Sequence, residues 1–143
     1  MEVLQLSVFL ENAAGRLADV AEALAAGGVN VRALSLADMA EFGILRLVVD
    51  DTARAREVLK AAGFTVNTTP VIAVGIPDSP GGMAAVLRAL GARGLAVEYM
   101  YAFARQHGWD AVLILRVEDQ AAALAALREK DLRVLQPQEV HGS

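Results

Sequence analysis

The chain has 143 residues, no cysteine and a formal net charge of −4 at pH 7. The acidic balance argues against nucleic acid or an anionic membrane surface as a partner. The missing cysteine excludes disulfides, thiol nucleophiles and thiolate metal sites. No pattern of a signal peptide or a membrane-spanning helix is present, so we expect a cytoplasmic protein with no membrane partner.

The first half predicts the order strand, helix, strand, strand, helix, strand. Apolar residues alternate from Leu4 to Leu10 and then recur at helical spacing until Gly27 and Gly28 end the helix. The helical stripe predicts that Leu17, Val20 and Leu24 are buried. The further predicted elements are strands over 29–38, 42–49 and 64–68, a hairpin over 39–41, and a second helix capped by Asp50, Asp51 or Thr52.

The second half predicts the same order of elements. Its first helix carries an apolar stripe, so Met83, Val86 and Leu90 are expected in its core. The predicted elements are strands over 72–76, 95–104 and 111–117, helices over 80–93 and 119–129, and a closing segment over 132–136.

The two halves also align residue by residue. Residues 6–31 match 72–97 at an offset of 66, and residues 44–51 match 112–119 at an offset of 68. A long period that occurs twice indicates a duplicated small domain. We therefore predict domains at 1–69 and 70–143, with the two extra residues in a longer hairpin turn of the second half.

A βαββαβ order predicts a ferredoxin-like unit. The predicted fold class is α+β, with two tandem ferredoxin-like βαββαβ sandwiches, each an antiparallel sheet with helices on one face. Only Thr69 and Pro70 separate the two units, which is too short for a flexible linker.

The first half contains a loop pattern that resembles the ACT domain, the small ligand-binding module of amino-acid-regulated enzymes. The first strand leads into the pattern Glu11-Asn12-x-x-Gly15-x-Leu17. A helix follows, and after it comes Gly28-Val29-Asn30-Val31. In ACT domains this loop and the start of the second strand bind an amino acid at the interface of two paired domains. The resemblance therefore implies a ligand site at a domain interface, made of Glu11, Asn12, Ala13, Ala14, Gly15, Arg16, Leu17, Asn30 and Val31.

Elementary chemistry makes the same loop suitable for an amino acid. Gly15 tolerates a tight turn and close approach of another group, and the first N–H groups of a helix have no intrahelical acceptor. With the helix dipole, these groups favour a carboxylate. An asparagine offers donors and an acceptor, which suits a zwitterion, and we expect Asn12 and Asn30 to flank the ligand.

Structural roles for the same residues remain open. Asn12 could cap the helix or shape the turn, and Asn30 could be an exposed polar residue at a strand start. Arg16 and Arg32 could meet a ligand carboxylate or lie solvated on the surface.

The second half departs from this loop pattern, since Asp78 replaces Asn12 and Ala96 replaces Asn30. We expect the first-half loop to be the better site. The second-half loop, residues 78–82, is a partner surface, a weaker site or a site for another ligand.

Aromatic residues alternate along one strand of the second half. Tyr99, Tyr101 and Phe103 should therefore share one face of the sheet. They either pack in a core or form an interface. Together with the apolar composition, this row predicts a homodimer.

A catalytic or metal-binding constellation is not visible in the sequence. His107 and His141 have no partner at metal-ligand spacing and no nucleophile to activate, so we expect no enzyme activity and no cofactor. The favoured function is an amino-acid-binding regulatory or sensor protein. The alternatives are a regulatory subunit that partners an amino-acid biosynthetic enzyme, such as acetohydroxyacid (acetolactate) synthase, and a small enzyme on a ferredoxin-like fold.

Overall fold

The computed structural model describes residues 2–38, 41–77, 79–104 and 111–142. Outside these ranges lie Asp78, residues 39–40 of the first predicted hairpin and residues 105–110 of the second. The last segment contains His107 and Trp109. The elements in chain order are β1 (Val3–Glu11), α1 (Arg16–Ala26), β2 (Val31–Asp38), β3 (Phe42–Val49), α2 (Thr52–Ala61), β4 (Thr65–Ile76), α3 (Gly82–Gly91), β5 (Val97–Ala104), β6 (Ala111–Val117), α4 (Gln120–Glu129), β7 (Arg133–Val134) and α5 (Pro137–His141).

The predicted order βαββαβ is confirmed in both halves, with one difference at the junction. The strands expected at 64–68 and 72–76 are a single strand, β4, of 12 residues. Pro70 does not break it, because a proline holds the residue before it in the extended region that a strand needs. Of the three cap candidates for α2, Asp51 is the N-cap, since its carboxylate accepts a hydrogen bond from the Arg54 N–H at 3.0 Å. Asp119 caps α4 in the same way through the Ala122 N–H at 3.0 Å.

The chain forms two compact units. The first-repeat unit consists of Leu4–Thr69 with Gln138–Ser143, and the second-repeat unit consists of Met1–Val3 with Pro70–Pro137. The repeats meet at Thr69 and Pro70, and each end of the chain folds with the repeat to which it does not belong in sequence. In the described part of the chain, no helix is long and apolar enough to cross a membrane.

The first-repeat unit is ferredoxin-like, with the strand order β2-β3-β1-β4. β3 pairs antiparallel with β1 and β2, and Leu47 lies opposite both Leu6 and Leu34. Alternate residues of β1 and β3 face α1 and α2, and this face holds the core. Its fully or largely buried members include Leu6, Val8, Leu10, Val20, Leu24, Leu45, Leu47, Val49, Ala55 and Leu59.

The second-repeat unit repeats this arrangement with β4, β6 and β5, and β7 pairs with β4. Tyr99, Tyr101 and Phe103 lie opposite Arg116, Ile114 and Val112. They therefore share one face, as predicted. That face is opposite to the one on which Leu113 and Leu115 pack in the helix-side core. The aromatic row is half-buried and is not part of that core.

Burial of the helical stripes is confirmed for four of six residues and wrong for two. Val20, Leu24, Val86 and Leu90 are buried, but Leu17 and Met83 are 46% and 47% exposed. Both occupy the second position of their helix, one turn before the first core residue. Leu17 lies outside the core cluster of the first-repeat unit, whose first helical member is Val20.

The C-terminal helix α5 was not predicted, and it docks on the first-repeat unit. The Leu4 N–H donates to Nε2 of His141 at 3.2 Å, and Nδ1 lies 2.7 Å from the Val49 carbonyl oxygen. Because Nε2 accepts, Nδ1 carries the proton and donates to Val49. Val140 is buried beside it, and Arg32 donates to the Gly142 carbonyl at 2.5 Å.

His141→Ala should destabilise the protein by about 1–3 kcal/mol, because it leaves a part-buried N–H and a carbonyl without their partner. Equilibrium urea unfolding followed by circular dichroism measures this loss. Gln138→Ala on the exposed side of the same helix is the control and should leave the midpoint near that of the parent. Equal midpoints for both variants would contradict a stabilising role for the imidazole.

Candidate functional site

The loop between β1 and α1 is held by its own backbone. The Ala13 N–H donates to the Glu11 carbonyl at 2.8 Å, the Arg16 N–H to the Ala13 carbonyl at 3.3 Å, and the Asn12 N–H to the Glu41 carbonyl at 2.9 Å. The N-cap of α1 is Gly15, with φ of 87°. Asn12 is therefore not the N-cap, and the turn depends on a left-handed conformation that favours glycine.

A half-open cavity of about 130 Å³ lies against this loop. Its walls come from the end of β1, the loop, the first turn of α1 and the neighbouring strands. The lining residues are Leu10, Glu11, Asn12, Ala13, Leu17, Leu36 and Gly43. The structure thus brings Glu11, Asn12, Ala13 and Leu17 of the predicted site together around one space.

Three lining residues were missed by the sequence analysis, and strand pairing explains each. Leu10 lies opposite Gly43 across β1 and β3, and Leu36 projects from the next strand, β2. A side chain at position 43 would come within 3.6 Å of Leu36 Cδ1 and 3.3 Å of the Ala37 carbonyl oxygen. Glycine at this position therefore keeps the cavity floor open. A prediction of the pairing register of β1, β2 and β3 would have placed these residues beside the loop.

Ala14, Gly15 and Arg16 belong to the loop but do not line the cavity. The guanidinium of Arg16 lies 4.6 Å from the ring centroid of Phe64 and pairs with the Asp19 carboxylate at 3.2 Å. This side chain does not line the cavity, and these contacts hold it instead of leaving it freely solvated. It fixes the first turn of α1 to the underlying core through a cation–π contact.

Asn30 and Val31 lie at the other end of the sheet. The Asn30 N–H donates to the Asp50 carboxylate at 2.9 Å, and Val31 lies opposite Val49 and packs against the core. Asn12 follows the end of β1 that pairs with Phe42. The seven residue-to-residue steps from Phe42 to Val49 therefore separate the two ends by roughly 23 Å. Within one unit, the structure does not bring Asn12 and Asn30 to the two sides of one ligand.

The charges around the cavity suit a small zwitterion. Leu17, in the first turn of α1, lines one side of the cavity, and the N–H groups of a helix's first turn favour an anionic group. The Glu11 carboxylate is exposed at the rim and can attract a cationic group. Within the described ranges, no group of three or more histidine, aspartate or glutamate side chains is placed to hold a metal ion.

The equivalent loop of the second repeat has a similar backbone but a tighter turn. Gly81 is the N-cap of α3 with φ of 95°, and the Gly82 N–H donates to the Ser79 carbonyl at 3.2 Å. A side chain at position 82, which matches Arg16, would place Cβ 2.5 Å from the Pro77 carbonyl oxygen. Position 102, which matches Leu36, is alanine. The second loop therefore lacks one of the apolar walls of the first.

The fold and the cavity together define a protein of two ferredoxin-like repeats with a small-molecule-sized cavity beside the first strand-to-helix loop. A family model of the ACT domain pair matches residues 1–141. The chain therefore belongs to the ACT domain family, as an ACT domain pair, and the resemblance seen in its sequence is confirmed.

Solved structures agree with this assignment. Protein BT0572 from Bacteroides thetaiotaomicron is 39% identical, with a TM-score of 0.93 over 100% of this chain and 98% of that one. The ligand-free regulatory subunit of aspartate kinase from Thermus thermophilus is 21% identical, with a TM-score of 0.62 over 90% and 92% of the two chains. The corresponding subunit from Thermus flavus is 22% identical, with a TM-score of 0.59 over 92% and 94%. A search among curated proteins found no match.

Proposed function

We propose that this ACT domain pair is a regulatory amino-acid sensor without catalytic activity of its own. The observation that carries the proposal is the cavity of about 130 Å³ at the β1–α1 loop, which is lined by Glu11, Asn12 and, from the first turn of α1, Leu17. A zwitterionic amino acid places its carboxylate at the helix start and its ammonium near Glu11. Neither role requires a nucleophile or a general base.

The proposed site lies at a domain interface and is completed by a second copy of the chain. Asn12 and Asn30 are at opposite ends of the sheet in one unit, so one asparagine of a shared site has to come from elsewhere. The position that matches Asn30 in the second repeat is Ala96, which has no hydrogen-bonding side chain. A homodimer in which one chain supplies the loop and its partner supplies Asn30 and Val31 satisfies both requirements.

A thermal-shift screen of the twenty amino acids tests the proposal. A ligand present at about 100 times its dissociation constant should stabilise the fold by roughly 2.7 kcal/mol, which corresponds to a melting shift on the order of 5–10 °C. Asn12→Ala should remove most of the shift while the unliganded protein melts as before, because Asn12 is exposed.

The control substitution is Asp78→Ala, at the position that matches Asn12 in the second repeat, and it should keep most of the shift. If none of the twenty amino acids shifts the melting curve, the sensor function is wrong. If Asp78→Ala abolishes the shift and Asn12→Ala does not, the ligand binds in the other repeat.

A second candidate function is that of a regulatory subunit acting on a separate biosynthetic enzyme. The observation that favours it is the likeness in fold and length to the regulatory subunit of aspartate kinase, of which 92% is covered. Purification of the tagged chain from its native cell decides between the two functions. A stoichiometric catalytic partner, such as an aspartate kinase or an acetolactate synthase, supports the subunit, and recovery of the chain alone supports the free-standing sensor.

A further inference from the structure

The walls of the loop cavity are mostly apolar. Leu10, Leu17 and Leu36 reach it from three different elements, and Glu11 is the single ionisable side chain among its described lining residues. Leu17 and Leu36 remain 46% and 50% exposed. Part of their apolar surface is therefore open to solvent.

In the proposed function, polar groups at the rim of the cavity bind the backbone end of the amino acid. The start of α1 receives the carboxylate and Glu11 receives the ammonium, so the ligand's side chain is left against Leu17 and Leu36. A polar or charged side chain there loses hydration without gaining a hydrogen-bond partner. Each additional methylene that is buried there raises affinity by roughly fourfold.

The volume of the cavity accommodates an apolar side chain. About 130 Å³ approaches the roughly 150 Å³ of an apolar cavity that binds benzene. The volume therefore does not separate aliphatic from aromatic side chains, and the selectivity comes from the apolar walls.

We infer that the loop cavity selects an amino acid with an apolar side chain over one with a polar or charged side chain. The inference rests on the proposed function, because it requires that the loop bind an amino acid at all. It adds the chemical class of the ligand and assigns Leu17 and Leu36 as the residues that determine it.

Isothermal titration of the full chain with valine and threonine is the most direct test, because the two ligands differ by a methyl group against a hydroxyl group. Apolar pockets discriminate between such isosteres by about 10²-fold, so valine should bind at least tenfold more tightly than threonine. Lysine should bind more weakly than valine as well.

Leu36→Ser should reduce the ratio of valine to threonine affinity at least fivefold, because it places a hydroxyl group in the apolar wall. Leu36 lies exposed on the edge strand, so the variant is expected to fold, and its melting curve verifies this. The matched control is Met83→Ser at the position equivalent to Leu17 in the second repeat, which is equally exposed and outside the cavity. It should leave the ratio unchanged.

Failure of the selectivity and failure of the sensor function give different results. Binding of threonine or lysine as tight as that of valine, with loss of binding in Asn12→Ala, overturns the apolar selectivity and leaves the sensor function intact. Absence of any amino-acid binding overturns both. If Leu36→Ser dissociates an oligomer and the affinity ratio stays constant, Leu36 contacts a second copy of the chain and the assignment to a ligand is wrong.

Discussion

A mixture of Asn12→Ala and Asn30→Ala chains should regain the amino-acid binding that each variant lacks alone. In the proposed homodimer each site takes its loop from one chain and Asn30 from the other. In a dimer made of one variant alone, both sites therefore lack one of their two asparagines. Loss of a hydrogen bond to a charged ligand group costs about 1.5–3 kcal/mol, so each variant should bind roughly 10- to 150-fold more weakly.

Mixed dimers should contain one intact site and one site with both substitutions. After random exchange half of the dimers are mixed, so the restored capacity is about a quarter of that of the parent protein for a two-fold symmetric dimer. Equilibrium dialysis at a ligand concentration that saturates only intact sites measures this capacity. The two variants are suited to the test because both side chains are exposed, and neither belongs to a core.

The control is a mixture of Asn12→Ala with the double variant Asn12→Ala, Asn30→Ala, in which no arrangement gives an intact site. It should show no recovery. Parent-like binding by Asn30→Ala alone would remove Asn30 from the site. Recovery in the control mixture, or a monomer in light scattering of the liganded parent, would contradict a site shared between two copies.

Local patterns in the sequence predicted the elements well because their causes are local. Gly27 and Gly28 end α1, with the N–H groups of Gly28 and Val29 bonded back to Ala25 and Leu24. The carboxylate caps of α2 and α4 are likewise within three residues of the N–H groups they bind. These features need no knowledge of the tertiary fold.

The candidate site was predicted in part, because its other part depends on pairing between distant strands. Glu11, Asn12, Ala13 and Leu17 are neighbours along the chain, and the family pattern identifies them. Leu36 and Gly43 join them only through the antiparallel register of β1, β2 and β3. The same register sets Asn30 at the far end of the sheet, which spacing along the sequence does not indicate.

The docking of α5 shows a second limit of sequence patterns. His141 stands in a polar tail and has no spaced partner in sequence, and its contacts with Leu4 and Val49 cross 137 and 92 positions of the chain. The backbone groups that bind the imidazole are the Leu4 N–H and the Val49 carbonyl, which lie near the ends of their strands. Backbone groups are present in every sequence, so no side-chain pattern indicates where they lie.

Leu47→Ala should lower the free energy of unfolding by about 2–5 kcal/mol, whereas Leu34→Ala should change it by less than about 0.5 kcal/mol. The two leucines lie directly opposite one another on the same face of the β2–β3 pair. Leu47 is 2% exposed beneath the helices, and Leu34 is 60% exposed because the core reaches β1 and β3 but includes only part of β2. The two variants therefore measure the effect of burial alone, because residue type, strand propensity and sheet face are the same at both positions.

Urea unfolding followed by circular dichroism measures both changes as shifts of the midpoint at constant slope. An edge strand offers unpaired backbone groups and, here, exposed leucines to another chain. If Leu34→Ala costs as much as Leu47→Ala, then β2 is covered in the assembled protein. The loss should then become smaller on dilution, as expected for a contact between copies. A large loss for Leu34→Ala that does not depend on concentration would instead contradict the placement of β2 at the edge of the core.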